Sequence, residues 1–151
     1  MIKKIPLTLI ILLFFSSCGY SPIHSSQDSK KLNIEVISYD GDNFINARIS
    51  SKLKIHDNEE EKLFKIKFTT NYTKKDLSKS LTGKIEEYQI EARTTYKIKG
   101  ENVDKNFTIN ESFVMKNFDD DFEEKNYEER IKNNIADLNY RKLILQIYRL
   151  K

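Results

Sequence analysis

The chain has 151 residues with 26 basic and 23 acidic side chains, a net charge of +3, and one cysteine. That length suits one domain, the near-balance of charge excludes the broadly basic surface of a nucleic-acid binder, and one cysteine excludes an internal disulfide. Lys, Asn and Ile are abundant while Ala and Gly are scarce, which reads as genomic base bias and carries no mechanism.

The first residues read MIKKIPLTLIILLFFSSCGY. Lys3 and Lys4 form a charged start, Ile5 to Phe15 an apolar run of 11 residues, and small Ser16 and Ser17 precede Cys18. This is the layout of a secretory signal peptide, and it is too short for the roughly 20 apolar residues of a membrane-spanning helix. Phe-Ser-Ser-Cys resembles the lipobox of bacterial lipoproteins, with Phe15 where that pattern prefers Leu. The expectation is a signal peptide over residues 1–17, cleavage before Cys18, and lipidation of Cys18. Acyl chains (palmitate) on its thioether glycerol and amine would anchor the chain, each buried methylene adding about 0.8 kcal/mol. Gly19 after the cysteine, by resemblance to proteobacterial lipoproteins, permits sorting to the outer membrane. Without Lys3 and Lys4 the remainder carries 24 of the 26 basic residues against 23 acidic ones, so any anion site must come from local clustering.

Residues 18–31 (CGYSPIHSSQDSKK) read as the lipidated cysteine and a polar tether, and residues 32–151 as a single α+β domain. Leu32, Ile34 and Val36 alternate with polar residues as in a strand. Asp40-Gly41-Asp42-Asn43 signals a turn, with Asn43 placed to cap a helix over residues 44–55. Its apolar positions are Phe44, Ile45, Ala47, Ile49, Leu53 and Ile55. Residues 56–61 (HDNEEE) form a charged loop. Residues 63–72 alternate strongly, with Phe64, Ile66, Phe68, Thr70 and Tyr72 on one face. Residues 73–84 read as a polar, basic connection. Residues 85–99 alternate again through Tyr88, Ile90, Ala92, Thr94, Tyr96 and Ile98. A turn at Gly100-Glu101-Asn102 precedes a fourth strand with Phe107, Ile109, Glu111, Phe113 and Met115 on one face. Residues 119–151 form a long helix with acids at its start and bases at its end, matching the helix dipole. Its apolar stripe runs through Tyr127, Ile131, Ile135, Leu138 and Leu145, widened at its end by Leu143, Ile144, Ile147 and Tyr148.

The order β-α-β-β-β-α predicts a two-layer α+β sandwich, with two helices on one face of a mostly antiparallel four-stranded sheet. The expected shared core is Phe64, Ile66, Phe68, Tyr88, Ile90, Phe107, Ile109, Ile131, Ile135 and Leu138. No ligand-spaced His or Cys cluster, nucleophile elbow or phosphate loop occurs, so neither enzyme, metal nor cofactor is expected. His56 beside Asp57, Glu59, Glu60 and Glu61 reads as part of a solvated charge run. Strand parity instead gathers cations. Lys65 and Lys67 share one strand's polar face; Arg93, Lys97 and Lys99 share another's; Lys74 and Lys75 follow the first strand. Such a patch suits phosphate groups. The alternative is a solvated face whose lysines serve solubility and edge protection.

The lipobox followed by Gly-aromatic-x-Pro (CGYSPI, residues 18–23), then β-α-β-β-β-α with a long final helix, resembles the LPS-assembly lipoprotein family LptE. The likeness covers the whole chain in organisation and those six residues as a motif. It implies an outer-membrane lipoprotein on the periplasmic side, a plug in the lumen of the LptD β-barrel that assists its assembly and binds lipopolysaccharide. Lys65, Lys67, Lys74, Lys75, Arg93, Lys97 and Lys99 are then the expected lipopolysaccharide contacts. The expected partners are the barrel, lipopolysaccharide and the membrane, with no nucleic acid. A periplasm-facing auxiliary lipoprotein of a lipid or solute transporter is the competing reading.

Overall fold

The computed structural model describes residues 32–56 and 63–150, and the leader, Cys18, the tether and the acids of residues 57–61 lie outside them. The elements are β1 (Asn33–Gly41), α1 (Asn43–Leu53) with a 3₁₀ turn (Lys54–His56), β2 (Leu63–Lys79), β3 (Ile85–Gly100), β4 (Val103–Lys116) and α2 (Asp121–Leu150). The strands form one sheet in the order β1-β2-β3-β4. The β1–β2 pair is parallel, joined through α1, and the other two pairs are antiparallel hairpins. The fold is therefore the expected α+β class with a mixed sheet.

Alternation sets the layers. The even positions of β2 from Phe64 to Thr70 and of β3 from Ile90 to Ile98 are buried, while their odd neighbours are exposed. The helices cover the buried face, and Ile45, Ile49 and Leu53 of α1 join Ile131, Ile135, Leu143 and Ile147 of α2 in one core with the strands. A row of rings crosses its centre: Tyr39 on Phe68 at 5.6 Å, Phe68 on Tyr96 at 5.4 Å and Tyr96 on Phe107 at 5.3 Å. Buried hydroxyls find partners within the sheet and across the layers. Thr70 and Thr94 hydroxyls meet at 3.0 Å, and the Tyr96 hydroxyl donates to Asn139 Oδ1 at 3.2 Å. Leaving such groups unpaired would cost about 1–3 kcal/mol each.

Several expectations are corrected. Residues 73–79 belong to β2, which runs beyond the end of β1, so the connection to β3 shrinks to residues 80–84. Asp42 and not Asn43 caps α1, its Oδ1 accepting from the Ile45 amide at 2.9 Å. Gly41 must be glycine: its φ is +93°, and a Cβ there would sit 2.0 Å from the Thr70 carbonyl oxygen. In α1 the buried stripe is Ile45, Asn46, Ile49, Ser50 and Leu53, whereas Phe44, Ala47 and Ile55 face solvent. In α2 the stripe is Ile131, Ile135, Asn139, Leu143 and Ile147. Leu138 lies outside the core and Leu145 is 58% exposed. Stepping by four from Ile131 reaches a buried Asn139 that a purely apolar stripe passes over. Of the other expected core residues, Tyr88 and Phe107 pack against it half-buried and the rest are buried.

Candidate functional site

The antiparallel β2–β3 register sets Lys65 opposite Lys99 and Lys67 opposite Lys97 on the outer face, away from the helices. Like charges placed directly opposite destabilise a strand pair, so the fold tolerates this rectangle of ammonium groups at a cost. Beside it the β1–β2 register slips between Val36 and Ser38, leaving Ile37 without a partner on β2. A bulge of this kind re-aims a side chain. Ile37, 41% exposed, here lines a shallow cavity of about 290 Å³ with the four lysines. Lysine stems and Ile37 make its walls apolar while the ammonium heads stay wet. A second hollow of about 400 Å³, lined by Leu63, Lys65, Lys99, Gly100 and Glu101, shares Lys65 and Lys99 with it.

Among the described residues two carboxylates pair with these lysines. Glu35 lies 3.8 Å from Lys65 and Asp104 4.0 Å from Lys99, both pairs half-exposed. Exposed pairs of that kind contribute about 0–1 kcal/mol. Among the described residues no carboxylate pairs with Lys67 or Lys97.

The remaining expected cations are elsewhere. Arg93 shares the outer face but sits four positions along β3 from Lys97, opposite Asn71 and Asn110. Lys75 is further along β2, opposite Gln89, and pairs with Glu91 at 3.6 Å. Lys74 is an even position inside β2, not a loop residue beyond it, and so lies on the helix side of the sheet. Its Nζ donates to Glu124 at 2.6 Å and Glu128 at 3.0 Å, and sits 4.3 Å from the centre of the Tyr88 ring.

Lys74 belongs to a second charged cluster that the sequence did not reveal. Lys132 Nζ donates to Asp42 Oδ2 at 2.9 Å, lies 3.8 Å from Glu128, and sits 4.1 Å above the Tyr72 ring. The Tyr72 hydroxyl donates to Glu128 at 2.9 Å. Burial works against the Lys74 ammonium, but its bonds to Glu124 and Glu128 outweigh that and hold its pKa above the ordinary value. Burial likewise penalises the Glu128 carboxylate, yet hydrogen bonds from Lys74 and Tyr72 and the charges of Lys74 and Lys132 keep its pKa below the usual range. Burial, then the bond to Glu128, push the Tyr72 phenol well upward. Three carboxylates enclose the two ammonium groups of this cluster, so it ties the sheet to α1 and α2 and leaves no cation free for an anionic ligand. The hydrogen bonds that join α2 to β2 and to the start of α1 link residues 50 to 90 apart in the sequence, beyond the reach of any local spacing rule.

The architecture is a mixed four-stranded sheet backed by two helices, and known structures share it. The rare lipoprotein B of Shewanella oneidensis superposes with a TM-score of 0.54 at 11% identity, over 77% of this chain and 98% of that one. A Caulobacter crescentus protein assigned as a lipoprotein superposes at 0.51 and 12% identity, over 78% of this chain and 92% of that one. At such identities the likeness is one of fold. No family profile and no curated protein matches the sequence.

Proposed function

We propose that the chain is an outer-membrane lipoprotein, lipidated at Cys18, that partners an LptD-like β-barrel in lipopolysaccharide assembly and is not an enzyme. One observation carries this reading: a lipobox leader is joined to a fold that spans 98% of a solved bacterial lipoprotein. The outer-face lysines supply the ligand site. Lys65, Lys67, Lys97 and Lys99 would hold the phosphorylated head of lipopolysaccharide, with Arg93 reached by a larger head along the same face. Charge-assisted bonds from several weak cations act together there, and the apolar walls suit an amphiphilic anion.

Affinity purification from solubilised membranes should recover a large β-barrel in stoichiometric amount, and depletion should lower assembled barrel and surface lipopolysaccharide together. Normal barrel assembly and normal surface lipopolysaccharide after depletion would overturn the proposal. Recovery of inner-membrane transporter components instead would favour the auxiliary-lipoprotein reading. Mass spectrometry of the mature N-terminus tests the anchor, and an unmodified Cys18 would remove it.

A further inference from the structure

β4 is the last strand of the sheet, and beyond it the order ends. Over 14 residues, Val103–Lys116, it presents a backbone edge that no described strand covers. A long open edge is a template for another strand, and the outer face of this one is complementary to itself about Asn110. Let a second copy run antiparallel with Asn110 opposite Asn110. Asp104 then faces Lys116, Asn106 faces Val114, Phe107 faces Phe113 and Thr108 faces Ser112. Antiparallel pairing keeps opposed residues on the same face of a sheet, and the faces agree. Asp104, Asn106, Asn110, Val114 and Lys116 are exposed on the outer face, while Phe107 and Phe113 are half-buried against the core on the inner one.

The helix layer offers a matching flank. Lys142 of α2 donates to Glu111 of β4 at 2.6 Å, which turns that face of α2 toward β4. Residues three and four apart share a helix face, so Leu138 and Leu145 accompany Lys142 there. Leu145 is 58% exposed and Leu138 lies outside the core. An inward-pointing charge ordinarily protects an edge from pairing, but the carboxylate of Glu111, 9% exposed, is already met by Lys142.

We propose that this flank is the interface of a symmetric homodimer. β4 pairs antiparallel with β4 of a second copy about a two-fold axis at Asn110, Asp104 pairs with Lys116 twice, and Leu138 and Leu145 meet their counterparts above. The same patch serves both copies, as a closed two-fold interface requires. This goes beyond the barrel-partner reading and does not rest on it, since the dimer is the state of the chain away from any barrel.

The test is disulfide trapping of the full chain in detergent, with the parent protein alongside to set any background from Cys18. Asn110→Cys places two thiols across the axis, whereas Asn106→Cys leaves them many residues apart, and cysteines more than about 7 Å apart cannot bridge. Asn110→Cys should give about tenfold more reducible dimer than Asn106→Cys. Mixing Asn106→Cys with Val114→Cys chains should restore the bridge. Lys116→Asp in the Asn110→Cys chain should reduce trapping, and adding Asp104→Lys should recover it, which a merely destabilised fold would not do. Equal trapping at positions 106 and 110, no trapping at either, or no recovery by the double exchange overturns the dimer. So does a reducible product of another mass in whole cells, which would assign the edge to a different protein's strand.

Discussion

The two faces of the β2–β3 hairpin use the same residue type to opposite ends. On the outer face Lys65, Lys67, Lys97 and Lys99 oppose one another, and among the described residues Glu35 and Asp104 pair with two of them. On the inner face Lys74 is held by Glu124 and Glu128, and Lys132 of α2 by Asp42 and Glu128. Strand parity alone decides which fate a lysine meets, because a shift of one residue moves a side chain through the sheet. Paired, half-buried charge holds the layers together, and opposed, exposed charge of one sign costs a little stability and remains available to an anion.

The comparison breaks most severely when the wall between the faces is removed. Phe68, 3% exposed with its ring against those of Tyr39 and Tyr96, lies in that wall. Phe68→Ala should lower stability by about 3–5 kcal/mol, read from the urea midpoint with the slope unchanged. Asp42→Ala strikes the inner cluster next, removing the α1 cap and the partner of Lys132 together. A loss of about 2 kcal/mol is expected. A loss no greater than that of a surface substitution would deny the cluster its structural role.

Acid and alkali sharpen the same contrast. Glu128 is held below its ordinary 4.5 in the folded chain, so its contribution is complete above that pH and drains away as pH falls through the folded value. Lys74 is held above its ordinary 10.5, so its contribution is complete below that pH and is lost as pH rises through the folded value. Burial lowers the pKa of His56, whose ring nitrogen meets the Tyr140 hydroxyl at 2.7 Å, so a smaller loss begins as pH drops below 6.5. Glu128→Gln should flatten the loss below pH 4.5 in urea titrations, while Lys67→Gln should leave it in place.

Most of the fold was legible because its signal is local. Period-two alternation placed β2, β3 and the inner face of β4, and the acidic start of α2 placed its first turn, where Asp120 caps the amides of Phe122 and Glu123. Misreadings arose where tertiary contacts override local chemistry. Residues 73–79 look like a loop because they are polar, yet pairing with β3 keeps them extended and Glu124 and Glu128 neutralise Lys74. Asn139 looks unfit for a core, but Tyr96 and the Ile135 carbonyl satisfy it. For the candidate site, parity foretold that Lys65, Lys67, Lys97 and Lys99 share a face. It did not foretell the bulge that brings Ile37 to them, nor the inward turn of Lys74.

The smallest predicted effect has the opposite sign from the others. Lys67 and Lys97 face each other without a carboxylate partner among the described residues. Directly opposed charges of one sign are destabilising, and opposite charges favourable, by about 0.2–1 kcal/mol. Lys67→Glu should therefore raise stability by an amount in that range, where reversal in the inner cluster at Lys132 lowers it. Binding should move the other way. Lys67→Glu with Lys97→Glu should weaken the capture of lipopolysaccharide by the purified chain far more than Lys75→Glu with Lys142→Glu, because Lys75 and Lys142 already have partners in Glu91 and Glu111. Added salt should erode the wild-type signal and narrow the difference, since exposed charges are screened over about 8–10 Å at ordinary ionic strength. A more stable Lys67→Glu chain that still binds lipopolysaccharide at full strength would leave the outer lysines as a strained but idle surface.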